Sequence, residues 1–130
     1  MVDKTDPRKH ILIVDDDPDT LQLLCTLLDT NGYNVVGVAD ANAAVERVRQ
    51  RVPDMLLIDY MLPETDGMTT LQRCRTAGGK EARAVMLTAD SRLETLQRAL
   101  ALGFDEFVPK PILDHGEFIQ RISDVMTRRR

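Results

Sequence analysis

The sequence lacks the features that mark membrane, secreted and nucleic-acid-binding proteins. No apolar run approaches the roughly 20 residues that a membrane-spanning helix needs, and residues 1–10 are polar, without the apolar core of a signal peptide. Basic residues are not in excess, since 17 Lys and Arg stand against 21 Asp and Glu and leave a net charge of −4. We therefore expect a cytoplasmic protein that neither enters a membrane nor binds nucleic acid directly.

Cysteine is also scarce. Cys25 and Cys74 lie on apolar faces of predicted helices, and neither has a Cys or His neighbour at metal-ligand spacing. We expect two buried reduced thiols and no disulfide. No repeat, low-complexity tract or internal linker interrupts the 130 residues, so one domain is predicted. We divide the chain into a polar tail at 1–9, a globular domain at 10–127 and a basic end at 128–130.

The apolar residues that are present alternate between strand-like and helix-like patterns five times. Short apolar runs predict strands at His10–Val14, Tyr33–Val38, Asp54–Asp59, Arg83–Thr88 and Phe104–Val108. Between them apolar residues recur at helical spacing, and Gly or Pro follows each of the first four helices. This alternation predicts an α/β fold, a doubly wound parallel sheet with helices on both faces. Periodicity leaves the strand order open.

The helix boundaries and faces follow from the same patterns. Pro18 suits the first turn of the first helix, because its missing N–H would be unpaired there anyway. In the fourth helix Leu93, Leu96 and Leu100 are expected on the helical apolar face. The fifth helix is expected from Ile112 onward.

Ionisable or hydroxyl side chains follow or end four of the five predicted strands. The acidic run 15–17 follows the first, Asp59 ends the third, Thr88 ends the fourth and Lys110 follows the fifth. The carboxyl ends of strands in an open parallel sheet meet at one edge, so we expect one acidic pocket with a single cationic partner. Each residue alone has an ordinary role, such as the helix cap that suits Asp17. Their joint occurrence indicates a functional site.

The pocket has the chemistry of phosphoryl transfer. Asp15, Asp16 and Asp59 repel one another when brought together, and a divalent cation removes that conflict. Oxygen ligands select Mg²⁺, which usually keeps several waters and binds a phosphate alongside. Lys110 adds a mobile positive charge for an anion, and Thr88 adds a hydroxyl donor. These parts stabilise a phosphoryl group in transfer, and a carboxylate can itself accept it as an aspartyl-phosphate.

Four runs of the sequence, taken together, resemble a known family. They are Ile-Leu-Ile-Val-Asp-Asp-Asp-Pro at 11–18, Leu-Leu-Ile-Asp-Tyr-Met-Leu-Pro-Glu-Thr-Asp-Gly at 56–67, Met-Leu-Thr-Ala at 86–89 and Phe-Val-Pro-Lys-Pro at 107–111. In this order they are similar to the receiver domain of bacterial two-component response regulators, over about residues 10–127. The resemblance implies a flavodoxin-like (βα)5 fold with strand order 2-1-3-4-5, an order that is taken from the family.

The resemblance also assigns the acceptor and the metal ligands. Asp59 would accept a phosphoryl group from a phosphohistidine on a sensor histidine kinase or phosphotransfer protein. Mg²⁺ would be bound directly by Asp16 and Asp59, through water by Asp15, and by the main-chain carbonyl of Met61. The family is a signalling domain, not an enzyme beyond its own phosphorylation and dephosphorylation.

The remaining implied roles concern the switch. Lys110 would pair with the acceptor and then with the phosphoryl group, which the Thr88 hydroxyl and the Ala89 backbone N–H would also contact. As Thr88 moves, Phe107 would rotate inward, at a position where many relatives have Tyr. The surface of the fourth helix, fifth strand and fifth helix would then change, and it would bind a downstream effector, an output domain or a second copy. A cis peptide is implied at Lys110–Pro111.

Three alternatives remain. A pseudo-receiver would act through protein interactions without phosphorylation. A phosphatase with an aspartyl nucleophile would need a second acid two residues after it, where this chain has Met61. A flavin- or nucleotide-binding module would need a Gly-, Ser- or Thr-rich phosphate loop where residues 15–18 lie. An output domain beyond residue 130, whether DNA-binding, diguanylate cyclase or kinase, also stays open.

Overall fold

Five strands form one parallel sheet in the computed structural model, which describes residues 7–128. The strands are β1 (His10–Val14), β2 (Asn34–Val38), β3 (Met55–Asp59), β4 (Met61–Leu62), β5 (Thr65–Asp66), β6 (Arg83–Thr88) and β7 (Glu106–Pro109). The helices are α1 (Pro18–Thr30), α2 (Ala41–Gln50), α3 (Gly67–Thr76), α4 (Leu93–Ala101) and α5 (His115–Thr127).

The sheet order is β2-β1-β3-β6-β7, and every pair in it is parallel. Strands β4 and β5 form a separate antiparallel hairpin of two residues each. Counted without that hairpin, the sheet has the predicted order 2-1-3-4-5, so the flavodoxin-like fold is confirmed.

The sheet is covered on both faces by apolar residues from the helices. Alternate residues of β3 point to opposite sides, because side chains of a strand alternate. Leu56 packs in the cluster that includes residues of α2, α3 and α4, whereas Leu57 packs in the cluster that includes residues of α1 and α5. All five residues of β3 are buried, and each fully buried large apolar side chain stabilises the fold by about 1.5–3 kcal/mol.

Aspartate side chains cap four of the five helices. Asp17, Asp40, Asp66 and Asp114 accept hydrogen bonds from backbone N–H groups in the first turns of α1, α2, α3 and α5. Such caps contribute about 1 kcal/mol each, because they satisfy donors that the helix leaves unpaired. The N-cap residue of α4, Arg92, makes no side-chain capping hydrogen bond.

The fourth helix differs from its prediction. Its buried residues are Thr95 and Ala99, while Leu93 is 70% and Leu100 is 48% exposed. Only Leu96 of the predicted face packs partly against the core. The expectation for Leu93 and Leu100 was therefore wrong, since small residues four apart form the side that meets the core.

The boundaries of four elements also differ, and β2 and β3 each start one residue later than predicted, at Asn34 and Met55. Strand β7 starts at Glu106 and not at Phe104, which is buried but precedes the strand. Helix α5 starts at His115 and not at Ile112, because Asp114 provides the cap.

The remaining predictions concern the termini, the cysteines and membranes. Cys74 is buried and Cys25 only half-buried, and both are free. Within residues 7–128 no helix is long and apolar enough to span a bilayer. The predicted tail at 1–9 and basic end at 128–130 lie mostly outside the described residues.

Candidate functional site

Two neighbouring strands bring the acidic residues together. Strands β1 and β3 are parallel, with Val14 opposite Ile58, so the next residues, Asp15 and Asp59, emerge side by side. Asp15 is fully buried and Asp59 is 7% exposed, whereas Asp16 is exposed. One carboxylate oxygen from each of the three residues lies within 4.8 Å of the other two. The predicted acidic cluster therefore forms.

Lys110 reaches this cluster from the far side of β6. Its Nζ donates to Asp15 Oδ2 at 3.1 Å and to Asp59 Oδ2 at 3.2 Å. Its backbone N–H donates to the carbonyl of Thr88 at 2.9 Å, which extends the pairing of β7 with β6. The following peptide, Lys110–Pro111, is cis, as predicted.

The surroundings of Asp59 disfavour the ionised form of its carboxyl group. Burial and the charge of Asp15 raise the pKa of Asp59, and the nearby Lys110 ammonium only partly offsets them. For Lys110 burial acts to lower the pKa, but the hydrogen bond to Asp15 and the charge of Asp59 outweigh it and raise the pKa. Lys110 is therefore a cation at neutral pH, shared between two acids.

The donor set fits a magnesium ion. Three carboxylates outnumber one ammonium, and all the converging side-chain acceptors are hard oxygens. Asp16 is exposed, which leaves a side open to the waters that Mg²⁺ usually keeps. The backbone N–H of Asp17 donates to Asp15 Oδ1 at 2.9 Å and holds that carboxylate in place. Met61 lies at the start of β4, and its role as a carbonyl ligand stays a prediction.

The switch residues occupy the neighbouring strands. Thr88 ends β6 and is buried, and its Oγ1 accepts from the Asp90 N–H at 2.8 Å and donates to the Asp90 carbonyl at 3.2 Å. Ala89 is exposed in the loop that follows. Phe107 is half-buried in β7, opposite Met86, and packs against the core. The structure thus places Thr88 and Ala89 at the edge that carries the acidic cluster, and Phe107 within β7, two residues before that strand ends.

The structure requires glycine at position 67, next to the acceptor, and this requirement was not predicted from the sequence. The N–H of Gly67 donates to the Tyr60 carbonyl at 2.7 Å, and a Cβ on Gly67 would lie 2.6 Å from the Asp59 carbonyl oxygen. The hairpin β4–β5 folds the chain back so closely that only glycine fits. The Asp66–Gly67 pair is typical of a turn but does not indicate this contact.

Residues 11–123 match the sequence profile of the response regulator receiver domain. The chain belongs to this family. Receiver domains typically bind Mg²⁺ at an acidic pocket, and the cluster of three aspartates described above is such a pocket. The family is one of signalling domains and not of classical enzymes.

Relatives match across almost the whole chain. The phosphate regulon transcriptional regulatory protein PhoB of Klebsiella pneumoniae is 33% identical over 121 residues, which are 92% of this chain and 52% of that protein. The transcriptional regulatory protein CpxR of Escherichia coli is 37% identical over 120 residues, 91% of this chain and 49% of that protein. The chain thus spans about half the length of these curated relatives.

Solved structures agree with the sequence relatives. A putative response regulator from Chloroflexus aurantiacus has a TM-score of 0.84 at 29% identity, over 93% of this chain and 99% of that one. A CheY-like receiver domain protein from Methanospirillum hungatei has a TM-score of 0.83 at 26% identity, over 92% of this chain and 94% of that one.

Proposed function

We propose that this receiver domain is a phosphorylation-dependent switch whose acceptor is Asp59. The observation that carries the proposal is the convergence of the Asp15, Asp16 and Asp59 carboxylates with the Lys110 ammonium at one edge of the sheet. The donor would be a phosphohistidine on a sensor histidine kinase or phosphotransfer protein, as in the family.

The transfer step needs one bond to form and one to break. An Asp59 carboxylate oxygen attacks phosphorus, and the N–P bond of the phosphohistidine breaks. The histidine nitrogen keeps the electron pair of that bond and takes up a proton. Burial favours this attack, because a carboxylate that is poorly solvated and beside another acid is a stronger nucleophile. The product carries about two negative charges, which the cations of the site have to offset.

The neighbouring residues orient and neutralise the incoming group. Asp15, Asp16 and the Met61 carbonyl would hold Mg²⁺ together with Asp59, and the ion would supply positive charge to the phosphoryl oxygens. Lys110, now 3.2 Å from Asp59 Oδ2, is within reach of an oxygen of a phosphoryl group on that carboxylate. Its ammonium can move from the Asp59 carboxylate to an oxygen of the phosphoryl group with little displacement.

The signal would leave the site through Thr88. The hydroxyl would turn from Asp90 to the phosphoryl group, which the Ala89 N–H would also contact, and Phe107 would rotate into the space that is vacated. We propose that this changes the surface of α4, β7 and α5, which would bind a cytoplasmic effector, an attached output domain or a second copy of the chain. A ligand shifts such an equilibrium only as far as it binds the two states differently.

Intact mass after incubation with acetyl phosphate and Mg²⁺ tests the proposal. We expect a gain of one phosphoryl group, which chelation of Mg²⁺ and Asp59→Asn both abolish. Asp124→Asn, an exposed acid on α5, is the matched control and should still be phosphorylated. No gain in the parent protein would instead favour the pseudo-receiver, and a gain that survives Asp59→Asn would place the acceptor elsewhere.

A further inference from the structure

The switch hydroxyl is tied to helix α4 through a single residue, Asp90. Both hydrogen bonds of Thr88 Oγ1 go to the backbone of Asp90, one to its N–H and one to its carbonyl. Such a local turn forms when a Thr side chain bonds to the backbone two residues on. The resting position of the Thr88 hydroxyl therefore depends on how firmly the Asp90 backbone is held.

The Asp90 side chain is held by a bidentate ion pair. Asp90 Oδ2 accepts from Arg92 Nη2 at 2.7 Å, and Arg92 Nε lies 3.0 Å and 3.1 Å from the two carboxylate oxygens. The Arg92 backbone N–H donates to Oδ1 at 3.0 Å as well. A planar guanidinium fixes a carboxylate in orientation, because both groups are flat and joined by parallel bonds. The pKa of Asp90 is accordingly held well below its usual range.

The same carboxylate also contacts the first turn of α4. Asp90 Oδ2 accepts from the buried Thr95 hydroxyl at 3.0 Å, while the N-cap residue Arg92 has no capping bond of its own. Asp90 thus connects the loop after β6 to the first turn of α4. We define Asp90, Arg92 and Thr95 as the α4 clamp.

We propose that Asp90 and Arg92 are positioning residues that hold the Thr88 hydroxyl in its resting orientation and so set how easily it turns toward Asp59. The inference rests on the proposed role of Thr88 in contacting a phosphoryl group. When the hydroxyl leaves, the Asp90 N–H and carbonyl lose their partner. The α4 clamp prevents the loop from shifting to re-pair them, so it disfavours the switched state.

The clamp also gives the switch its link to α4. The loop segment 89–91 is anchored at one end by the Thr88 turn and at the other by the ion pair with Arg92. A change in either anchor alters the other through five residues of chain. The Thr88 hydroxyl is thereby linked to the first turn of α4 through Asp90, without contact between α4 and the acidic pocket.

The test compares Arg92→Ala with Arg98→Ala in the unphosphorylated protein. Arg98 is an exposed arginine in the last turn of α4, outside the clamp, and Arg92 is 69% exposed, so both variants should fold. The χ1 rotamer populations of Thr88, from NMR couplings of its methyl group, are the first measurement. We expect Arg92→Ala to raise the non-resting population about fivefold, which corresponds to a coupling of about 1 kcal/mol, and Arg98→Ala to leave it unchanged.

The rate constant of phosphorylation by acetyl phosphate is the second measurement. It should rise by a similar factor in Arg92→Ala, because the reacting state needs Thr88 at the phosphoryl group and scales with that population. Arg92→Lys, which keeps the charge but not the bidentate geometry, should fall between the parent and Arg92→Ala. Asp90→Asn, which weakens the pair but keeps the side-chain shape, should behave like Arg92→Ala.

Equal Thr88 populations in Arg92→Ala and Arg98→Ala would overturn the proposal, and so would an unchanged rate constant beside an altered population. If no variant is phosphorylated, the proposed function fails, but the rotamer measurement still decides whether the clamp holds Thr88. The two failures are therefore distinguishable.

Discussion

Replacing Asp59 by Asn should stabilise the metal-free protein. At an effective dielectric constant of 20, an acid within 4.8 Å of Asp59 repels it by at least about 3 kcal/mol, and Lys110 at 3.2 Å attracts it by about 5 kcal/mol. Asp15 exerts that repulsion in full, while water screens the exposed Asp16. The Coulomb contributions therefore leave a net attraction of at most about 2 kcal/mol, and the burial cost of an ionised carboxylate, which is still several kcal/mol after relaxation, exceeds it. We expect a gain of about 2 kcal/mol in the free energy of unfolding for Asp59→Asn.

The gain should depend on pH in a defined direction. The pKa of Asp59 is raised in the folded protein, first by burial and then by Asp15, so the folded state holds this proton more tightly than the unfolded chain. Its stabilising effect is fully present below the pKa of the unfolded chain and is lost as the pH rises through the folded pKa. The advantage of Asp59→Asn over the parent should thus be small in acid and grow toward neutral pH.

Urea unfolding in a chelator and in saturating Mg²⁺ measures both effects. An ion that binds only the folded state stabilises it by about 2.7 kcal/mol at 100 times its dissociation constant, so Mg²⁺ should stabilise the parent more than Asp59→Asn and narrow or reverse the difference. Asp124→Asn should behave like the parent throughout. The reasoning would be refuted by Asp59→Asn unfolding at lower urea than the parent in chelator, or by equal stabilisation of both proteins by Mg²⁺.

Three further predictions concern the surroundings of the site. Gly67→Ala should lower the free energy of unfolding by about 1–3 kcal/mol and weaken Mg²⁺ binding, because its Cβ would lie 2.6 Å from the carbonyl oxygen of Asp59. Gly116→Ala in α5 should instead stabilise the protein by about 0.5–1 kcal/mol. Urea midpoints and Mg²⁺ titration measure the two effects. Arg75→Ala should lower the free energy of unfolding by about 2–3 kcal/mol, since this guanidinium donates to four backbone carbonyls, two of them on Gly79 and Gly103. Replacement of the exposed Arg49 by Ala should change the urea midpoint little. Burial raises the pKa of Cys74 to about 11, so iodoacetamide at mildly alkaline pH should leave this thiol unmodified until urea unfolds the protein. Intact mass of Cys25→Ser, which removes the half-buried second thiol, measures this, and alkylation of that variant in the native state would contradict the burial of Cys74.

The position of the site followed from the sequence because two simple rules reinforce each other. Apolar runs such as Ile11–Val14 predict buried strands, and the residue after a buried parallel strand must lie at the carboxyl edge of the sheet. Asp15 and Asp59 were therefore placed correctly without knowledge of side-chain conformation. Lys110 was placed at this edge by the same rule, whereas the strand order, which periodicity does not contain, was supplied by the family resemblance.

The orientation of side chains did not follow from the sequence. The prediction that Leu93 and Leu100 lie on the buried face of α4 was wrong. Spacing identifies residues that share a helical face, but it does not show whether that face packs on the sheet or is exposed to solvent. The engagement of Thr88 with Asp90 was missed because it depends on a loop that is fixed by Arg92. Local patterns carry no information on which of several polar groups a hydroxyl will choose.

The strand order explains why the proposed chemistry and the proposed signal share a residue. Strand β6 lies between β3, which carries the acceptor, and β7, which leads to Lys110. A phosphoryl group that bridges Asp59 and Lys110 must therefore lie over the end of β6, where Thr88 is. Thr88 is bonded to the Asp90 backbone, and the Asp90 side chain is bonded to Thr95 of α4, so a group that engages the Thr88 hydroxyl takes it from the residue that contacts α4. The sheet order and the Asp90 contacts together thus support the proposed link between the pocket and α4, the one helix in residues 7–128 whose N-cap residue makes no side-chain capping bond.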